Sequence, residues 1–386
     1  MLNRFMADRL FAILERAPVG RFVVETPDGK VHHLGQGSGE LVATMHMHDW
    51  RVIGAFLKDG EIGLTETYRD GLWDTPDLTS LLQLGLANMD AIGKVVRGGY
   101  LQRLFSRITY RMRENHMRGS RRNIQAHYDL GNDFYKLWLD PGMTYSSALF
   151  DANTEKLSAA QDNKYDRILE LLETDRGSML EIGCGWGGFA DRALQRADYD
   201  YRGITLSDQQ HQYATERLKG SGKVVLEDYR LQESRYDSLV SIEMFEAVGE
   251  KYWGTYFSKL KSLLATNGKA MVQTITIRDE NFETYRRRGD MIRTFIFPGG
   301  MLPSPSRFKQ EAEKAGLRME DRFDFGQDYA QTLKHWLQAF EQRLDEVRTL
   351  GFDEGFIRVW RFYLCACIAA FSNGSTNVMQ VRLGHA

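Results

Sequence analysis

Two glutamates stand close together at the end of an apolar run, Glu243 and Glu246 in SIEMFEAVGEKYW. The run reads as a buried parallel strand, and an ionised carboxylate inside such a strand is costly unless it is paired or hydrogen-bonded. Strands of an open α/β sheet deliver their carboxyl ends to the crevice where ligands bind. Dry surroundings there raise a carboxyl pKa, which suits a group that takes up or lends a proton. For Glu243 an exposed or paired structural carboxylate is an equal reading.

A second segment with chemical character is LEIGCGWGGFA, a strand that ends in a glycine-rich turn and opens a helix. Gly183, Gly185 and Gly187 let the backbone turn sharply and approach a ligand closely. The spacing is E-x-G-x-G-x-G, led by Glu181, whereas a dinucleotide fingerprint reads G-x-G-x-x-G, and the Lys-Ser/Thr ending of a P-loop is missing. This form is similar to the S-adenosylmethionine loop of Rossmann-like methyltransferases; a packing turn or a nucleotide site is the alternative. Many such enzymes end the next strand in an acid that holds the ribose. Here GITLSDQQ carries Thr205 and Ser207 in that region, so the contact falls to Gln210 or, less favourably, Asp208. Cys184 lies in the turn and Cys365 and Cys367 in an apolar stretch, so all three read as structural. They form neither a disulfide framework nor a zinc spacing, and the expected compartment is the reducing cytoplasm.

The elements that would position these groups follow from the patterning. From about residue 178, strand-like segments alternate with helical ones: SMLEIG, YDYRGITL, KVVLEDY, YDSLVSIEMF and KAMVQTITI, with a helix opening at Ser207 in the capping-box form SDQQ. That alternation predicts an α/β fold with a mostly parallel, doubly wound, Rossmann-like sheet over a domain of residues 124–386. Residues 1–95 read as a small α+β domain: GRFVVETPDGKVHHLG and IGLTETYRDGLWD as strands and turns, TPDLTSLLQLGLANM as a helix capped by Thr75. Between them, residues 96–123 hold eight arginines and a single acid, Glu114. Leu101, Leu104, Phe105, Ile108 and Met112 share one helical face, with Arg103 and Arg107 opposite. Such a helix can rest on an anionic membrane surface, or pack as a linker with its arginines solvated; RNA binding is a weaker third reading.

At 386 residues with a formal charge of −2, the chain has room for two domains and no global field to recruit nucleic acid. The run YLCACIAAF is too short to cross a bilayer and reads as a buried helix, so a membrane would be met from its surface.

Several separate motifs in order resemble the cyclopropane-fatty-acyl-phospholipid synthase family, which includes the mycolic acid cyclopropane synthases. They are HYDLGNDFYKLWLDPGMTYSSALF, LEIGCGWGGFA, GITLSDQQ, LEDYR, SIEMFEAVG, FIFPGGMLPS and DYAQTLKHW, spread over residues 120–340. The resemblance implies methylene transfer from S-adenosylmethionine to the double bond of an unsaturated phospholipid acyl chain. It passes through a carbocation that loses a proton as a cyclopropane closes. It implies a bound bicarbonate as the base, in a pocket whose glutamate maps to Glu246, isoleucine to Ile275 and tyrosine to Tyr329. Two positions depart from the pattern: the family cysteine is Ser147 and the family histidine is Gln273. A backbone amide could serve at the first; at the second, glutamine cannot become cationic. Aromatic faces would stabilise a cation, and Tyr128 is singled out for this among Phe134, Tyr135, Trp138, Tyr145, Phe150, Phe295 and Phe297. By motif position the cofactor would touch Tyr145, Ser146, Glu181, Gly183, Gly185, Gly187, Thr205, Leu206, Gln210, Asp228 and Tyr229. The N-terminal domain and basic helix would dock the enzyme to the inner face of an anionic membrane or to a second subunit in a homodimer. Loss of the proton from a neighbouring carbon would give a methyl-branched or methylene product instead. A nucleic-acid or protein methyltransferase would need a motif such as N-P-P-Y, absent here, and a lipid-binding module that has lost catalysis is the remaining alternative.

Overall fold

The structure, a computed structural model, describes residues 2–37, 41–92, 130–152 and 154–386. The expected basic helix and Tyr128 lie outside the described residues. Internal contacts divide the chain into two units: Met1–Arg111 with Arg287–Ile296 and Glu341–Ser375, and Met112–Arg286 with Phe297–Phe340 and Thr376–Ala386.

In the first unit, β1 (Arg21–Glu25), β2 (Val31–Leu34), β3 (Val42–Met47) and β4 (Trp73–Asp74) form a sheet in the order β2-β1-β3-β4. The hairpin β1–β2 is the one expected. The segment IGLTETYRDGLWD is not: it is mostly helix, Glu61–Arg69, and only its last two residues are strand. Its β-branched residues mislead because tertiary packing overrides propensity. The Thr65 and Thr67 hydroxyls donate to the carbonyls of Glu61 and Gly63 within the helix, and a Cβ at Gly63 would strike the Ala55 carbonyl of the neighbouring helix at 2.2 Å. The helix Leu78–Ala87 forms as expected but is capped by Asp77, whose carboxylate accepts from the Ser80 amide, and not by Thr75.

Glu341–Ser375, which lies within the expected 124–386 domain, clusters with the N-terminal unit. This segment contains the 19-residue helix Glu354–Ser372, longer than its nine-residue apolar run suggests and, by length and composition alone, able to cross a bilayer. It packs against the helices Glu61–Arg69 and Leu78–Ala87, burying Ile357, Trp360, Phe362, Leu364, Ile368 and Phe371 among others. An apolar helix needs a partner surface, and local sequence does not say which part of the chain supplies it.

The second unit is built on a seven-stranded sheet of β5 (Arg176–Ile182), β6 (Asp198–Thr205), β7 (Lys223–Leu226), β8 (Tyr236–Ile242), β9 (Leu264–Ile277), β10 (Leu317–Asp324) and β11 (Thr376–His385). Its order is β10-β11-β9-β8-β5-β6-β7; β5 to β9 are parallel, while β11 runs antiparallel to β9 and to β10. This is the Rossmann-like, mostly parallel sheet that the alternation predicts. β5 and β8 are central, so their apolar runs are covered on both faces; Met179, Leu180, Leu239 and Val240 are at most 1% exposed. The helices Leu157–Leu172 and Gly188–Arg196 press Ile168, Leu172, Phe189 and Ala193 into this core. Each large apolar side chain so buried contributes about 1.5–3 kcal/mol. Ser207 caps the helix Asp208–Leu218 through the Gln210 amide, as its motif predicts. Strand order reverses between β5 and β8, which places the glycine loop and the two glutamates at neighbouring carboxyl ends.

Candidate active site

The ladder of β8 continues one residue past Ile242, where the Glu243 amide donates to the Gln273 carbonyl of β9. There the chain turns through a left-handed φ of 49° at Glu243. A non-glycine residue in this region costs about 1–3 kcal/mol and persists only where its surroundings hold it. Here the side chain is what is held. Glu243 Oε1 accepts from the Ser147 amide at 2.9 Å and from Gln273 Nε2 at 2.8 Å, and Oε2 accepts from the Tyr329 hydroxyl at 2.6 Å.

The donors are themselves fixed. β9 and β11 set Gln273 directly opposite Gln380, and Gln273 Oε1 accepts from Gln380 Nε2 at 3.0 Å. Gln380 Oε1 in turn accepts from Arg167 at 2.8 Å, and Arg167 is anchored on Asp321. A guanidinium can only donate, so this chain of amides has one polarity and ends with an N–H aimed at Glu243. The Ser147 hydroxyl is spent on the Ala148 carbonyl; only its backbone amide serves Glu243. The Ala148 amide donates to Thr332 and the Phe150 amide to Asp328, tying the TYSSALF segment to the helix Gly326–Gln342 that carries Tyr329.

Glu246 sits one turn further on, in a short 3-10 helix. Its Oε1 accepts from the Thr274 hydroxyl at 2.9 Å and from the Ile275 amide, while Oε2 is shut from solvent with no hydrogen-bond partner among the described residues. Burial, and then the charge of Glu243, push its pKa up to about 8, against the pull of those donors. Burial raises Glu243 too, opposed first by the Tyr329 hydrogen bond, then by the Ser147 amide, Lys164 and Gln273. Lys164, fully buried, donates to Ser146 Oγ and Gln161 and is brought down to about 7 by burial, against the carboxylates of Glu243, Asp140 and Glu181.

The glycine loop fits a ligand that runs along its backbone. Gly183, Gly185 and Gly187 all have positive φ, at 82°, 54° and 81°. A Cβ on Gly185 would meet open space, whereas one on Gly183 would stand 2.9 Å from Met244 Cγ, so the loop lies against the segment between the two glutamates. Glu181 points away from this surface into the core, where Tyr201 donates to it and burial pushes it up to about 8. The Gln210 side-chain carbonyl accepts from Thr205, and the Asp228 carboxylate is taken by the Arg230 amide and guanidinium. Leu206 is half-buried beside Thr205, and Tyr229 is buried against Tyr256. Tyr145 lies in an aromatic group with Trp138, Trp336 and Phe297 at centroid distances of 5.4, 5.3 and 6.3 Å, and Tyr329 packs edge-on against Trp336 at 6.0 Å. Phe134, Tyr135 and Trp138 are core residues.

Sequence reasoning thus named Ser147, Glu246, Gln273, Ile275 and Tyr329, and the structure brings them together. It centres them on Glu243, not on a vacant anion pocket, and the Ile275 amide serves Glu246. Sequence reasoning missed Thr274, Gln380, Arg167 and Lys164; a polar Gln380 within the otherwise apolar run VMQV is the available signal for the second. The three donors that would hold a bicarbonate are occupied by the Glu243 carboxylate, so the residues present do not fit that ion.

Comparison with known proteins agrees with this architecture. Residues 115–381 match the family described as mycolic acid cyclopropane synthetase. The chain is 38% identical over 342 residues to the tuberculostearic acid methyltransferase of Mycobacterium tuberculosis, covering 84% of this chain and 79% of that protein. It is 34% identical over 340 residues to the cyclopropane-fatty-acyl-phospholipid synthase of Escherichia coli K12, covering 84% and 83%. The crystal structure of the mycolic acid cyclopropane synthase CmaA1, complexed with SAH and CTAB, superposes with a TM-score of 0.64 at 31% identity, over 68% of this chain and 97% of that one.

Proposed function

The chain belongs to the mycolic acid cyclopropane synthetase family of S-adenosylmethionine-dependent methyltransferases, and we propose that its acceptor is the double bond of an unsaturated acyl chain in a membrane phospholipid. The observation that carries this reading is the meeting of a glycine loop with a carboxylate cluster flanked by aromatic rings. S-adenosylmethionine, held along Gly183–Gly187, supplies an electrophilic methyl group when bound. An alkene is a weak nucleophile, so the protein's part is to hold it in line, exclude water and stabilise a cation it must not capture. Tyr145, which is half-buried, offers a ring face for the last task, worth roughly 0.5–2 kcal/mol. Proton loss from the newly added carbon then gives a cyclopropane fatty acyl chain.

A second product has a specific argument behind it. The most similar relative quoted above is named for tuberculostearic acid, and the chain carries Gln273 and Ser147 where the synthase pattern has histidine and cysteine. A proton lost from a neighbouring carbon would leave a methyl-branched or methylene chain. Access to phospholipid is proposed to run through the N-terminal unit and the arginines of residues 97–122, at the cytoplasmic face of an anionic membrane.

The test uses purified protein, S-adenosylmethionine and vesicles of monounsaturated phospholipid, with acyl products read by mass spectrometry and proton NMR. High-field cyclopropyl signals support the ring product, and a branch or methylene at the former double bond supports the second. No transfer to lipid rejects the acceptor.

A further inference from the structure

We propose that Glu243 is the base of this reaction, its carboxylate built into the cradle that would otherwise hold a free bicarbonate ion. The inference rests on the alkene-methylation reading given above. A carboxylate and bicarbonate share a planar O–C–O edge that accepts the same hydrogen bonds. Glu243 presents that edge to the Ser147 amide, the Gln273 side-chain amide and the Tyr329 hydroxyl, at 2.9, 2.8 and 2.6 Å. An unpaired anion would be expelled from this cradle by the charge already in it.

The geometry is made for this side chain. Its left-handed backbone turn directs Glu243 back across the sheet to Gln273, its own strand's ladder partner through the amide. The Arg167–Gln380–Gln273 chain then fixes which end of the Gln273 amide it meets. Arg167, Gln380 and Gln273 are positioning residues in this scheme. Glutamine suffices where histidine would be needed to neutralise a free anion, because the anion is covalently tethered and need not be recruited from solution.

The step balances. The alkene π electrons form the new C–C bond as the S–CH3 bond breaks and its electron pair stays on sulfur. One Glu243 oxygen takes a proton from the cationic acyl chain, and the C–H electrons close the ring or form a new double bond. Glu243 becomes a neutral acid and returns its proton to water after product leaves.

The deciding experiment compares the full-length wild type with E243G and E243Q, in carbon-dioxide-free buffer and with bicarbonate restored. Glycine suits the left-handed backbone and empties the cradle; glutamine fills it without basicity. Wild type is expected to keep its full rate without bicarbonate, while both variants lose about 100-fold or more, the contribution of a positioned general base. Added bicarbonate should return at least about tenfold to E243G and nothing to E243Q. In a measurement independent of turnover, isotope-labelled bicarbonate should bind E243G and not wild type, by NMR line broadening. A wild type that needs or binds bicarbonate overturns the proposal. So does an E243G that keeps its rate, or one that binds S-adenosylhomocysteine normally yet stays inactive with every small anion. Wild type inactive on phospholipid would reject the acceptor, and the binding measurement would still decide the role of Glu243.

Discussion

Two ion pairs of the first unit and the glutamate pair of the second hold their partly buried charges in opposite ways. In the first, Arg361 meets Glu341 through two parallel hydrogen bonds of 2.5 and 2.8 Å, and Arg358 pairs with Asp74 while lying 3.9 Å over the Tyr68 ring. Each of these four charges faces an opposite charge. In the second unit Glu243 accepts only from neutral groups, and one oxygen of Glu246 accepts from nothing. A full counter-charge in contact would pull a carboxylate pKa down and remove its appetite for protons. Neutral donors fix the geometry and leave the basicity. In these examples the matched charges are architecture, and the carboxylates left short of a match are the ones proposed for chemistry.

The same contrast appears in the backbone. Glu173 and Lys219 also have positive φ, but both end helices, where a left-handed residue is an ordinary stop. Glu243 follows a strand and ends no helix, so its φ needs another reason, and its side-chain bonds supply one.

The largest expected effect that sharpens this contrast is Glu243→Gln. It should lower kcat by roughly 10²–10⁴-fold, the usual worth of a positioned base, with S-adenosylhomocysteine affinity unchanged by calorimetry. Equal losses in both would make Glu243 structural, like Glu341. Tyr329→Phe comes next. Losing one hydrogen bond to a charged group should cost about 1.5–3 kcal/mol in the transition state, roughly 10- to 100-fold in kcat. That hydrogen bond holds the Glu243 pKa down, so its loss should also move the acidic limb of the pH–rate profile to higher pH. An unmoved limb would mean the titrating group lies elsewhere. Glu341→Gln is the control from the other unit, expected to cost about 1–2 kcal/mol of unfolding free energy and nothing in kcat.

Glu246 provides a test of the unmatched carboxylate in stability and not in turnover. Its folded pKa is raised from 4.5 to about 8, so its contribution to stability is present below the unfolded value and is lost as pH rises through about 8. Glu246→Gln should therefore grow more stable relative to wild type between about pH 5 and pH 9, by on the order of 4 kcal/mol in denaturant unfolding. A constant difference across that range would show that Glu246 is ionised throughout. The double replacement of Arg103 and Arg107 should weaken binding to anionic vesicles by about 1 kcal/mol per arginine in sedimentation assays.

Much of this was legible in the sequence because it is local. β5 to β9 show as apolar runs between helical segments, the glycine loop as a spacing and the Ser207 cap as a motif. The place of Glu243 was not, because it depends on partners 96, 30 and 86 residues away. Nothing in SIEMFE distinguishes a carboxylate that folds back across the sheet from one that pairs at the surface; the left-handed turn decides, and it is set by tertiary contacts. Gln273 and Ser147 looked like separate departures from a pattern, yet both contribute amides to the same carboxylate. In the first unit, the helix Glu61–Arg69 escaped notice for a related reason. Its threonines favour strands in isolation, and the close approach to the neighbouring helix at Gly63 is a tertiary contact that local sequence does not show.

The left-handed φ at residue 243 sets two selection pressures against each other. Glycine there would relax a backbone strained by about 1–3 kcal/mol, so a library sorted for thermal tolerance alone should drift towards glycine at this position. A library sorted for turnover should hold glutamate. Engineering this protein for robustness would therefore have to exempt one residue from the consensus of its own stability data.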